Sequence, residues 1–117
     1  MSEEEVINYT VVLVGESDVG KSTIVGYIPS DHKDTIGANY STRIIKLEEE
    51  KKPLKFEILD TAGAERNRFV CSLFYKNAAA CILVYDITRR KSFEELKNFW
   101  IHDVKSKAPP DTSKNII

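Results

Sequence analysis

No excess of either charge runs through this sequence: 17 lysines and arginines stand against 18 aspartates and glutamates. The few charged clusters, Glu3-Glu4-Glu5 and Glu48-Glu49-Glu50-Lys51-Lys52, do not make one basic face. Nucleic-acid binding driven by counterion release is therefore not indicated. Cysteine is scarce. Cys71 and Cys81 have nine residues between them, which fits neither a metal-ligand spacing nor a dense disulfide framework, so both read as reduced cytosolic thiols. No apolar run approaches the roughly 18 residues of a membrane span, and the acidic N-terminus has no basic region leading into an apolar stretch. A soluble, cytoplasmic chain is expected. The last residues, Asn115-Ile116-Ile117, include no cysteine to carry a prenyl group, so an endomembrane anchor would have to lie outside residues 1–117. Internal repeats and low-complexity segments are also missing, and a length of 117 residues suits a single domain, 1–117.

Against those absences stand several strongly patterned segments. Tyr9 to Val14 is a β-branched and aliphatic run ending at Gly15, the form of a strand buried on both faces. Lys21 to about Tyr27 suits a short helix, which Pro29 would stop. Asn39 to Leu47 reads as a strand. Leu54, Phe56 and Ile58 alternate with Lys55 and Glu57 as its hairpin partner across Glu48 to Pro53. Asp60 to Arg68 has no period and reads as loop, followed by a helix over Val70 to Lys76 and a buried strand over Ala80 to Tyr85. Ser92 and Glu95 form a capping-box pair, and Phe93, Leu96, Trp100 and Val104 follow at helical spacing until Pro109-Pro110. Asn115 to Ile117 resembles the first residues of a fifth strand. Strands alternating with helices predict an α/β fold of three layers, α/β/α, with a mostly parallel sheet and one antiparallel hairpin strand.

The segment Gly15-Glu16-Ser17-Asp18-Val19-Gly20-Lys21-Ser22 has the spacing G-x-x-x-x-G-K-S. Its glycines let the backbone curl round a polyphosphate, so that the amides of the loop and of the helix N-terminus point at the negative charge. Gly15, Ser17, Asp18, Val19, Gly20, Lys21, Ser22 and Thr23 are thus the candidate nucleotide contacts. Lys21 would reach the β- and γ-phosphates, and the Ser22 hydroxyl suits Mg²⁺, a hard cation that prefers oxygen. An ordinary glycine turn is the plain alternative. The expected strand before the loop and helix after it argue against that.

From Gly15 onward the residues resemble a Rab-type small GTPase of the Ras superfamily, in four ordered segments. The phosphate loop is one. Thr35-Ile36-Gly37-Ala38-Asn39-Tyr40 resembles switch I, which implies Thr35 as a second protein ligand of Mg²⁺ and a contact to the γ-phosphate. Asp60-Thr61-Ala62-Gly63-Ala64-Glu65-Arg66 resembles switch II, implying that Asp60 holds Mg²⁺ through a water and that the Gly63 amide senses the γ-phosphate. Leu83-Val84-Tyr85-Asp86-Ile87-Thr88 with Ser92-Phe93-Glu94 resembles the fourth strand and the helix after it. The resemblance implies a P-loop NTPase fold, GTP or GDP with Mg²⁺ as ligands, and effector and regulator proteins reading Ile36, Tyr40 and Phe69. Packing in the core or hairpin is the other reading of those three side chains.

Departures from the family pattern sharpen the expectations. The family usually places glutamine where this chain has Ala64, and alanine cannot orient an attacking water. Misplacing that nucleophile costs on the order of 100-fold, so slow hydrolysis is expected unless Arg66 or Arg68 substitutes. Asp18 stands where glycine is usual, and its charge opposes that of the phosphates unless it points into water. Thr35 follows Ser22 by 13 positions, a shortened switch I. Tyr27, the aromatic nearest that loop, is assigned to packing of the first helix, and His32 and His102 read as solvated. The guanine-reading motifs of the family would lie beyond Ile117, so guanine preference rests on the resemblance alone. The domain is accordingly read as a C-terminally incomplete G domain lacking the last strand and helices, with an exposed apolar edge. A longer protein, a completing partner or second domain, or a swapped dimer would each account for that. Two functions follow: a slow Rab-like GTPase in vesicle traffic, or a pseudo-GTPase interaction module without significant turnover. An ATP-using P-loop enzyme is disfavoured only by the switch resemblance.

Overall fold

In the computed structural model the described residues are 7–27, 40–45, 53–61 and 68–117. Four strands, β1 (Ile7–Val14), β2 (Tyr40–Ile45), β3 (Leu54–Asp60) and β4 (Ala80–Leu83), form one sheet in the order β2-β3-β1-β4. β1 pairs in parallel with β3 and β4, whereas β2 runs antiparallel to β3. The expected topology is present.

Alternation along β1 explains the layers, because successive side chains of a strand leave on opposite faces. Val12 and Val14 join Cys71, Tyr75, Cys81, Leu96, Trp100 and Val104 in one core. Leu13 joins Val19, Ile58 and Val84 in a second, against which Val25 of α1 (Lys21–Gly26) packs. The first core is covered by α2 (Arg68–Phe74) and by a run made of α3 (Arg90–Glu95), a π-helical stretch (Leu96–Trp100) and α4 (Ile101–Lys107). Helices thus lie on both faces of the sheet. No helix among the described residues is long and apolar enough to cross a membrane.

Several boundaries differ from the sequence expectation. β3 continues to Asp60, which the aperiodic stretch had suggested was loop, because its register with β1 runs on to Leu13 opposite Asp60. The amide and hydroxyl of Thr61 then both donate to the Leu13 carbonyl. The capping box is not formed. Arg89 is the N-cap, and Ser92 sits a turn inside, its hydroxyl 2.7 Å from the Arg89 carbonyl and 3.0 Å from the Asp86 amide. The turn at Asp86 is what moves the helix start forward, since Asp86 Oδ1 accepts from both the amide and the hydroxyl of Thr88. Those bonds hold the Asp86 carboxyl below the usual carboxylate range, the Thr88 hydroxyl contributing most. Pro109-Pro110 does end the long run, but Pro110 also opens a further helix, α5 (Pro110–Lys114), which suits a residue with no amide to donate. Tyr27 does not pack. It closes α1 with its side chain 84% exposed, because that short helix turns only residues such as Val25 toward the core.

At the outer edge of β4, Ile116 bridges Cys81 in parallel, and Leu83 donates to the Ile117 carbonyl at 2.8 Å, so the expected fifth strand begins. Charge is buried within the sheet. Arg43 of β2, 6% exposed, donates to the Val25 carbonyl at 2.9 Å and so satisfies an end group of α1 that alternation alone would not have matched.

Cys71 and Cys81 are not joined in a disulfide and are fully buried, and burial pushes the Cys81 thiol up from 9.0 to about 12. At pH 8 a disulfide-forming thiol reagent should leave the native protein untouched and modify both cysteines once it is denatured. Rapid modification of the native protein would contradict this packing. Because the folded thiol binds its proton more tightly, its stabilising contribution is complete below pH 9 and declines as pH rises toward 12.

Candidate nucleotide-binding site

The loop leaving β1 is pressed against the end of β4. A Cβ built on Gly15 would lie 2.2 Å from the Val84 carbonyl oxygen, so glycine is required here by close backbone approach. Val84 donates in turn to the Val14 carbonyl at 2.9 Å. Val19 anchors the loop from below as part of the second core. Gly20, with φ 98°, then turns the chain in a left-handed conformation into α1, and its carbonyl accepts from Ile24 at 2.9 Å. Asp18 also has a positive φ, 61°, in a region that non-glycine residues enter at a cost of roughly 1–2 kcal/mol, less for aspartate.

Lys21 is 2% exposed, and its ammonium donates to the Gly15 carbonyl at 2.8 Å and the Glu16 carbonyl at 2.7 Å. The side chain is folded back over the loop, which places a positive charge at the centre of the curl. The two carbonyl oxygens offset part of the desolvation of the buried ammonium. Ser22 Oγ donates to Asp60 Oδ2, joining the first residues of α1 to the end of β3. A hydroxyl and a carboxylate thereby meet beside the loop, both of them the hard oxygen donors that Mg²⁺ takes. Thr23 is exposed in the same turn.

The structure therefore assembles Gly15, Ser17, Asp18, Val19, Gly20, Lys21, Ser22, Thr23 and Asp60 in one place. Asp18 is exposed, which favours the solvated reading of its side chain. Thr35, Ile36, Gly63, Ala64 and His32 lie outside the described residues, as does the side chain of Phe69 in α2. Tyr40 is half-buried, opposite Leu59 at the start of β2. His102 is exposed.

Two contacts were not anticipated from sequence. Trp100 Nε1 donates to Glu16 Oε1 at 2.9 Å, and Arg89 Nη1 donates to the Ser17 carbonyl at 3.0 Å. Both partners are more than 70 residues away along the chain. The lone tryptophan was a visible signal of importance, but helical spacing accounts for it as core, and nothing local announces the Arg89 contact.

A family model described as the Ras family matches residues 10–117. The chain belongs to the Ras family. Within it, this Ras-family chain is similar to Rab-type proteins. It is 41% identical over 106 residues to human Ras-related protein Rab-22A, covering 86% of this chain and 53% of that protein. It is 39% identical over 114 residues to RABA4b of Arabidopsis thaliana, covering 93% and 48%, and 37% identical over 114 residues to chicken Rab-8A, covering 93% and 54%. The chain spans about half the length of the curated relatives it matches. The α/β architecture, with its mostly parallel sheet, agrees with that membership.

The contact between Gly15 and Val84 makes a direct expectation. Gly15→Ala must displace the loop from β4, so urea unfolding should show a loss of about 2–3 kcal/mol. Unaltered stability would mean that the close approach is not kept in solution.

Proposed function

We propose that this Ras-family chain binds GTP or GDP with Mg²⁺ and acts as a switch in vesicle traffic, with slow hydrolysis. The observation that carries the reading is the convergence of the buried Lys21 ammonium with the Ser22–Asp60 pair at the mouth of one loop. Loop amides and Lys21 would hold the β- and γ-phosphates, while Ser22 and Asp60, with Thr35 from switch I, would hold the metal. A bound Mg²⁺ would neutralise charge between the phosphate oxygens. The choice of guanine over adenine rests on the Rab-type similarity. Effector and regulator proteins reading Ile36, Tyr40 and Phe69, and a cytoplasmic location with any endomembrane anchor supplied outside residues 1–117, belong to the same reading.

A switch of this kind needs elements that two states hold differently. Thr35 and Gly63 would sense the γ-phosphate. Asp60 is instead the end of a paired strand, so its carboxylate would offer the metal, through a water, an oxygen held in a fixed position.

Ala64 supports slow turnover, because no amide or carboxylate side chain is present there to orient water. Ala64→Gln should raise single-turnover GTP hydrolysis by about 10- to 100-fold. Equal rates in the two proteins would remove the argument from Ala64. If the purified protein carries no nucleotide on denaturation and leaves added GTP intact over hours, the pseudo-GTPase module is the correct reading instead. A preference for ATP over GTP would overturn the guanine assignment.

Asp18 adds a negative charge at the loop, screened by its exposure. Asp18→Gly should slow release of a fluorescent GDP about threefold. Release at the wild-type rate would show that the carboxylate is fully solvated.

A further inference from the structure

The orientation of the loop amides, on which the nucleotide reading rests, has a support outside the loop. In a planar trans peptide the carbonyl of one residue and the N–H of the next point in opposite directions. Arg89 Nη1 donates to the Ser17 carbonyl at 3.0 Å and lies 3.4 Å from the Asp18 carbonyl. One guanidinium therefore holds the outer edge of two consecutive peptide planes. The N–H groups on their inner edges belong to Asp18 and Val19, and they are directed away from Arg89.

The need for such a support is visible in the backbone. Asp18 is the one non-glycine residue with positive φ among the described residues. A peptide plane beside a left-handed aspartate competes with flipped arrangements of lower local strain. A flip would turn a carbonyl, instead of an amide, toward a bound phosphate. Arg89 opposes this because both carbonyls must face it to be bonded.

Arg89 is itself held in place. Its amide donates to the Asp86 carbonyl at 2.9 Å, and its carbonyl accepts from the Ser92 amide at 2.9 Å and the Ser92 hydroxyl at 2.7 Å. The segment just after β4 thus grips the loop twice, at Gly15 through Val84 and at Ser17–Asp18 through Arg89.

We propose that Arg89 is a positioning residue for nucleotide binding, aligning the Asp18 and Val19 amides toward the phosphates by holding the carbonyls on the other side of their peptide planes. It touches no phosphate in this role. A lysine can bond one carbonyl as a point charge but does not reproduce the planar fork, so Arg89→Lys should rescue only in part.

The test compares wild type with Arg89→Gln and Arg89→Lys in the purified protein, reading release of a fluorescent GDP, amide hydrogen exchange at Asp18 and Val19, and nucleotide-free melting temperature. An exposed charge-assisted bond supports an expectation of about fivefold faster GDP release in Arg89→Gln, a smaller change in Arg89→Lys, and faster exchange at the two amides. The melting temperature should stay unchanged. Wild-type release and wild-type exchange in Arg89→Gln would overturn the proposal. So would faster release that merely tracks a lowered melting temperature, since that marks a general structural role. If the wild type binds no GDP, the nucleotide reading fails on its own account. Amide exchange then still decides: loss of protection at Asp18 and Val19 in Arg89→Gln upholds the positioning role, and identical exchange overturns it.

Discussion

A side chain at position 15 would collide with the Val84 carbonyl, so the loop leaves β1 along a path open only to glycine, tight against the strand on its other side. Much of the site follows from that contact. With Gly15 pinned, Val19 can drop into the second core, Gly20 can turn the backbone, and Lys21 can begin α1 with its ammonium folded over the loop carbonyls. β1 makes this possible because it is the central strand, paired on both edges and buried on both faces along its C-terminal half. A loop launched from such a strand has a fixed origin.

The charges at the site come from elements that the sheet brings to the same end. Lys21 belongs to the helix after β1, Asp60 to the end of β3, Arg89 to the turn after β4, and Glu16 is tied to Trp100 at the centre of the long helical run. Parallel pairing explains the convergence, since it puts the C-terminal ends of β1, β3 and β4 side by side. The Trp100–Glu16 bond adds a link from the helical layer to the loop, through an indole that is otherwise wholly in the core.

Much was legible in the residues. The G-x-x-x-x-G-K-S spacing identified the loop, alternation identified the hairpin, and the apolar runs at Tyr9 to Val14 and Ala80 to Tyr85 identified strands covered on both faces, the second ending at Leu83. Where local pattern misled, tertiary pairing decided otherwise. Asp60 lacked strand character, yet pairing with β1 carries β3 to it. Ser92 and Glu95 had capping-box spacing, yet the Asp86 turn starts the helix two residues before Ser92. Tyr27 looked like helix packing, yet so short a helix leaves it in solvent.

What the sequence by itself determined is the chemistry on offer: a loop able to wrap phosphates, a lysine and a hydroxyl to meet them, an alanine at position 64 where an amide is usual, and the family to which these belong. Such features are encoded in residues close together along the chain, where spacing alone limits the backbone to few paths. The tertiary structure decided how that loop is held. The Gly15 approach to Val84, the Ser22–Asp60 pair and the Arg89 grip on Ser17 each join residues more than 35 positions apart. Contacts of that kind depend on which strand lies beside which, and no local propensity specifies them.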